Sequence, residues 1–139
     1  MICIGIDTGV DTGFAVWDSS RKELVEVKTL RIDEALEKVL QYHHASQELG
    51  ESIYVCFEDA RQRKWYGANA RVKMQGAGSV KRDSKIWEDF LKAHKIKFWA
   101  KPPTEGMTKW SVQRFEALTG WKGRTSEHAR DAALMVFGF

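Results

Sequence analysis

The sequence predicts an α/β domain built on a mixed five-stranded sheet in the order 3-2-1-4-5, with helices on both faces. Three observations predict it. The first thirty residues hold three strand-like runs joined by polar turns, the pattern of an antiparallel meander. Two later runs, 53–57 and 96–100, each follow an amphipathic stretch long enough to be a crossover helix, which returns them parallel to the first strand. The segment after residue 125 is apolar nearly all round at helical spacing, so it is a buried helix.

Residues 2–7 are apolar on both faces and read as a central strand. Residues 8–13 hold two glycines and form a tight turn. Residues 14–17 are the second strand, 18–22 a polar turn and 24–28 the third strand. A helix is predicted from Asp33 to Leu49, with Leu36, Val39 and Leu40 on its apolar face and Gly50 as its stop. A helix over Asp83–His94 turns Ile86, Phe90 and Leu91 inward, and a helix over Thr108–Leu118 carries the stripe Val112, Phe115, Leu118. Thr125 or Ser126 caps the last helix, which runs to about Phe137. His43 and His44 fall on the first helix and are expected to be exposed, without function.

The chain has 139 residues, 43% of them hydrophobic and 12% aromatic, which suits a single domain over residues 1–139 with a real core. No apolar run approaches the ~18 residues of a membrane span, and no secretory leader is evident, so a cytoplasmic protein is expected. Cys3 and Cys56 lie inside strand candidates and read as buried, reduced thiols. The net charge of +3 is unevenly spread. From Arg61 to Lys101 there are 12 Lys/Arg against 3 Asp/Glu, and the rest of the chain has 10 against 16, so a middle of +9 is set in a remainder of −6. Trp65, Tyr66, Trp87 and Trp99 are interleaved with those cations, as a nucleic-acid face requires. Arg61, Arg63, Lys64, Arg71, Lys73, Lys81, Arg82 and Lys101 are the candidate backbone contacts, with Trp65 and Tyr66 as candidate base contacts.

Three acids are placed for chemistry. Asp7 closes the first strand, Glu58 closes the run 53–57, and Asp131 follows His128 by one helical turn. In the predicted sheet order the first and fourth strands are parallel neighbours, so Asp7 and Glu58 share one sheet edge, where open α/β sheets bind ligands. Carboxylates at buried strand ends need cationic partners. Two Mg2+ ions about 4 Å apart would be such partners and would clamp a phosphodiester. Asp7 would bridge both ions, Glu58 would hold one and Asp131 the other; His128 would either ligate the second ion or orient the attacking water. The histidine favours substitution by Mn2+.

Those residues carry a resemblance. Ile4-Gly5-Ile6-Asp7-Thr8-Gly9 with Thr12-Gly13-Phe14-Ala15-Val16, then Phe57-Glu58, Lys109-Trp110-Ser111-Val112 and His128-Ala129-Arg130-Asp131-Ala132-Ala133-Leu134 resemble, in order, the motifs of the RuvC-type Holliday-junction resolvases of the ribonuclease H-like superfamily. Thr8 stands where that family usually has proline, and the base-stacking aromatic that follows its glutamate arrives here only at Trp65 and Tyr66. The resemblance implies a ribonuclease H-like fold and a homodimer that holds a four-way DNA junction and nicks two strands symmetrically. It makes Asp7, Glu58, His128 and Asp131 the metal and catalytic set, and puts Lys109 near the scissile phosphate. No nucleotide cofactor and no membrane is implied. The short chain suggests a viral or mobile-element version, and the 69–94 region is the expected dimer face.

Other readings stand beside it. A general branched or single-strand nuclease of the same fold uses the same acids, and a catalytically silent DNA-binding module keeps only the fold. The YqgF-like nucleases share the first motif but draw the middle acid from the next strand, and 96–100 carries none. The actin-like kinases need two lobes, more than 139 residues supply.

Overall fold

A computed structural model describes residues 1–62, 78–103 and 109–139. The sheet has five strands: β1 (Ile2–Asp7), β2 (Asp11–Asp18), β3 (Glu23–Arg31), β4 (Ile53–Glu58) and β5 (Lys97–Lys101). Their order is β3-β2-β1-β4-β5, as the sequence predicted. β1 pairs antiparallel with β2 and parallel with β4; β2–β3 is antiparallel and β4–β5 parallel. Four α-helices are present among the described residues: α1 (Ile32–Leu49), α2 (Gly78–Ala93), α3 (Val112–Thr119) and α4 (Glu127–Val136). A single 3-10 turn, Ala60–Gln62, follows β4. No helix of the described residues is long and apolar enough to cross a membrane.

Alternation along the strands sends side chains to two cores. Ile4, Ile6, Phe14, Val16, Val55 and Phe57 face α1 and α2, where Ala35, Val39, Trp87 and Leu91 complete one cluster. Cys3, Ala15, Trp17 and Cys56 face the other way, onto Ala129, Ala132, Ala133 and Val136 of α4 and Phe115 of α3. Helices therefore cover both faces. Both cysteines are free and buried.

The boundaries differ from the sequence reading where local signals mislead. α2 starts at Gly78, ahead of Asp83, because its first turn has no apolar periodicity. Its inward face is Ser84, Trp87 and Leu91, so Ile86 is exposed, and Trp87, expected among the rings of a nucleic-acid face, is a fully buried core residue. A small polar residue, Ser84, occupies the face position that would have shown the register; its Oγ accepts the Ala60 N–H at 3.2 Å. α3 begins only at Val112, because Ser111 is the N-cap and its Oγ accepts the Arg114 N–H at 3.2 Å. Of the predicted α3 stripe only Phe115 is buried; Val112 and Leu118 are 40% and 47% exposed. β3 runs on to Arg31, and α1 stops at Gly50, which takes a left-handed φ of 68°. His44 is exposed as expected, but His43 is half-buried, with Nδ1 shut away from solvent.

Candidate active site

The carboxyl ends of β1 and β4 position two of the predicted acids. Ile6 pairs in parallel register with Phe57, so Asp7 and Glu58 come next on neighbouring strands. Both alternate with residues of the α1–α2 core, so both belong to the α4 face. The turn after β1 is tied to the end of β4, because Thr8 Oγ1 donates to the Glu58 carbonyl at 3.1 Å. Thr12 Oγ1 donates to the Gly9 carbonyl at 2.8 Å and closes the turn itself.

α4 brings the other two residues. Its N-cap is Ser126, whose Oγ accepts the Ala129 N–H at 3.1 Å and also bonds Thr29 Oγ1 on β3. At two glycines the backbone of the helix lies directly against β1 and β2, with no side chain between. A Cβ at Gly5 would stand 2.0 Å from the Ala132 carbonyl oxygen, and a Cβ at Gly13 2.0 Å from that of His128. These carbonyls are four residues apart, about 6 Å along the helix; Gly5 and the register position beside Gly13 are two strand residues apart, about 6.6 Å. The two glycines thus match one helical turn, and the first turn of α4 falls beside Asp7.

There His128 Nδ1 lies 2.9 Å from Asp7 Oδ2, the ring N–H donating to the carboxylate. The Asp7 side chain is 12% exposed and that of His128 52%, so the acid is sunk and the ring is at the rim. Burial pushes the Asp7 carboxyl above its ordinary range; the bond and charge of His128 oppose this, the charge of Asp131 adds to it, and Lys109 opposes it. Asp131, one turn after His128, forms an ion pair with Lys109. That bond raises the Lys109 ammonium pKa, burial works against it, and the negative charges of Asp131, Asp7 and Glu58 all add. Lys109 therefore sits in the field of all three acids, which places Glu58 in the same site. Among the described residues no three His, Cys, Asp or Glu side chains are disposed to share one metal ion: Asp7 is turned onto His128 and Asp131 onto Lys109.

Arg130 was not among the residues singled out from sequence, yet it builds this site. It is buried on α4, its Nε donates to the Trp110 carbonyl at 3.0 Å, and Nη1 donates to the Thr125 carbonyl at 2.9 Å and hydroxyl at 3.0 Å. The guanidinium thus ties residue 110 to the helix that carries Asp131 and holds Lys109 in place. Arg114 stacks on the Trp110 ring at 3.8 Å. The available signal was a charged residue set among the alanines of the helix, Arg130 next to Asp131.

The predicted DNA contacts fare unevenly. Arg61 is turned inward: Nε and Nη2 donate to Asp59 at 2.8 and 2.9 Å, and Nη2 to Glu88 at 2.7 Å. Its charge is thus engaged within the fold, tying the turn after Glu58 to α2. Lys81 is half-buried and Arg82 exposed on α2; Lys101 is half-buried at the end of β5, in register with Glu58. Arg63, Lys64, Trp65, Tyr66, Arg71 and Lys73 lie outside the described residues, as does the 69–77 part of the expected dimer face. Comparison with protein-family models, curated proteins and solved structures finds nothing that matches this chain.

Proposed function

We propose that this chain is a metal-dependent endonuclease of ribonuclease H-like fold that hydrolyses phosphodiesters in branched DNA. Four-way junctions, nicked symmetrically by a homodimer, are the preferred substrate. The observation that carries the proposal is the gathering of Asp7, Glu58, His128 and Asp131, from three separate elements, on one face at one end of the sheet. Paired cuts need paired sites, and a two-fold dimer supplies them.

The donor set suits hard divalent ions. It offers three carboxylates and an imidazole, and Asp7 is a sunken carboxyl whose ionised form burial disfavours, so a nearby cation lowers its cost. Asp7, Glu58, His128 and Asp131 would hold Mg2+, with Mn2+ able to replace it. Bound there, two such ions supply Lewis-acid activation of water and charge neutralisation at the leaving oxygen. The protein's part follows from the geometry. His128, half-exposed at the rim, leaves Asp7 to ligate an ion or to orient the attacking water. Lys109 exchanges Asp131 for a phosphate oxygen when a DNA strand enters. Arg130 keeps the Lys109 segment in register while this exchange takes place.

The test is to incubate the pure protein with matched four-way, Y-shaped and linear DNA in Mg2+ and in Mn2+ and to map the nicks. Symmetric nicks confined to the four-way substrate support the resolvase reading; equal cutting of all three reduces it to a general branched or single-strand nuclease. Asp7→Asn should abolish cutting and retain DNA binding. A second reading, a silent DNA-binding module, is favoured by the two pairings that satisfy Asp7 and Asp131 without metal; binding without any cutting by the unaltered protein would establish it.

A further inference from the structure

We propose that Lys97, Trp99 and Lys101 on edge strand β5 form a track for a single nucleic-acid strand, with Trp99 as a stacking platform for an unpaired base and the two lysines meeting flanking phosphates. The proposal deepens the nuclease reading and rests on it for the direction in which the strand runs.

The register fixes which way the three residues face. Tyr54, Cys56 and Glu58 of β4 stand opposite Lys97, Trp99 and Lys101. Cys56 packs with Ala132 and Ala133 of α4, whereas Phe98 and Ala100 pack on the core beneath α1 and α2. Alternation therefore puts Lys97, Trp99 and Lys101 on the α4 face, the face of the carboxylates. The row ends beside Glu58, so a strand lying along it is delivered to the acidic site.

α4 packs over β1, β2 and β3 and touches β4 only lightly, so among the described residues no helix packs over β5 on that face. Trp99 is 44% exposed there, the largest side chain among the exposed hydrophobics of the described residues. Among those residues no ring or cation stacks on it, and neither lysine forms an ion pair. Side chains on one strand face repeat at about 6.6 Å, so cation, ring and cation span about 13 Å. An exposed indole between two lysines matches a polymer with alternating anionic and π-faced units. A second copy of the chain fits worse. In a two-fold contact centred on Trp99 the row meets itself reversed, Lys97 against Lys101, with like charges apposed. Lysines on an edge strand also discourage strand-to-strand pairing.

The test uses the full chain carrying Asp7→Asn, so that bound strands survive, and a fluorescein-labelled single-stranded oligonucleotide with an internal 2-aminopurine, titrated across a range of salt. Trp99→Ala should weaken binding on the order of 5- to 150-fold and abolish the quenching of 2-aminopurine; Trp99→Phe should restore most of both. Lys97→Gln and Lys101→Gln should each lower the salt slope by about 0.7. Each variant is checked for an unchanged melting midpoint, and Lys97→Glu reads the same track if Trp99→Ala does not fold. Parent binding that Trp99→Ala leaves within two-fold, with quenching and salt slopes intact, overturns the track and leaves the nuclease reading standing. Trp99-dependent binding by an unaltered protein that cuts nothing supports the track and overturns the nuclease. A parent that binds no oligonucleotide overturns the track and leaves the nuclease reading to the junction-cleavage assay.

Discussion

Gly13→Ala tests how the site is assembled. The added Cβ would lie 2.0 Å from the His128 carbonyl oxygen, 2.5 Å from its carbon and 3.0 Å from Asp7 Cβ. Both neighbours on α4 are backbone, so no rotamer change relieves the clash, and an ordinary contact of about 3.5 Å requires α4 to retreat by about 1.5 Å. The 2.9 Å bond between His128 and Asp7 cannot survive such a shift. Overpacking costs about 1–3 kcal/mol, and a rigid backbone partner puts this case near the top of that range. For a chain of this size about 3 kcal/mol lowers the melting midpoint by roughly 10 °C. Calorimetry gives the midpoint and a junction-cleavage assay gives the activity; both should fall together. A Gly13→Ala protein within 0.5 °C of the parent and equally active would refute the close approach of α4 to β2.

Arg61→Ala leaves the Asp59 carboxylate, 5% exposed, without its fork, and should cost about 2–3 kcal/mol in urea unfolding; a smaller loss in the double variant with Asp59→Asn would attribute it to the stranded charge. Cys3 and Cys56 should resist alkylation in the native state at about pH 8, because both are buried and burial pushes the Cys56 thiol up to about 11; labelling as fast as in denaturant would refute this. Asp7→Asn should raise the melting midpoint of the metal-free protein at about pH 7. Burial raises the folded-state pKa of Asp7, so between the unfolded and folded values the folded state binds more protons and stability falls as pH rises. The advantage of Asn should therefore vanish below the unfolded carboxylate pKa, at about pH 3, and a gap that is equal at both pH values would refute the charge-based cause.

Strand order was legible because β1 to β4 carry strong apolar runs and α1 ends at a glycine, signals that need no tertiary context. Asp7 and Glu58 were legible for the same reason: each closes a run, and parallel pairing then makes them neighbours. The close approach of α4 was not legible, since Gly5 and Gly13 read equally well as turn or strand glycines until the helix carbonyls stand against them. The register of α2 was hidden because Ser84 takes a core position, and α3 because residues 109–111 are shaped by bonds to Arg130 and by a cap rather than by their own propensity. Arg61 looked like a free cation because its partners, Asp59 and Glu88, lie two residues earlier and on a distant helix.

The two pairings at the site bear directly on metal binding. His128 bonds Asp7 and Lys109 pairs with Asp131, yet the Asp7 carboxyl is still pushed up by burial. A divalent ion would have to break both pairings, freeing Asp7 and Asp131, and the exchange is favourable because it brings two charges to one point. A ligand that binds only the folded state stabilises it by about 2.7 kcal/mol at a hundredfold excess over Kd, a rise of roughly 8–10 °C here. Mg2+ should therefore raise the melting midpoint of the parent, and the rise should shrink sharply in Asp7→Asn. Lys109→Ala removes a competitor for Asp131, so the rise should appear at lower Mg2+ concentration while cutting slows. Equal metal shifts in the parent and in Asp7→Asn would mean that the ions bind elsewhere.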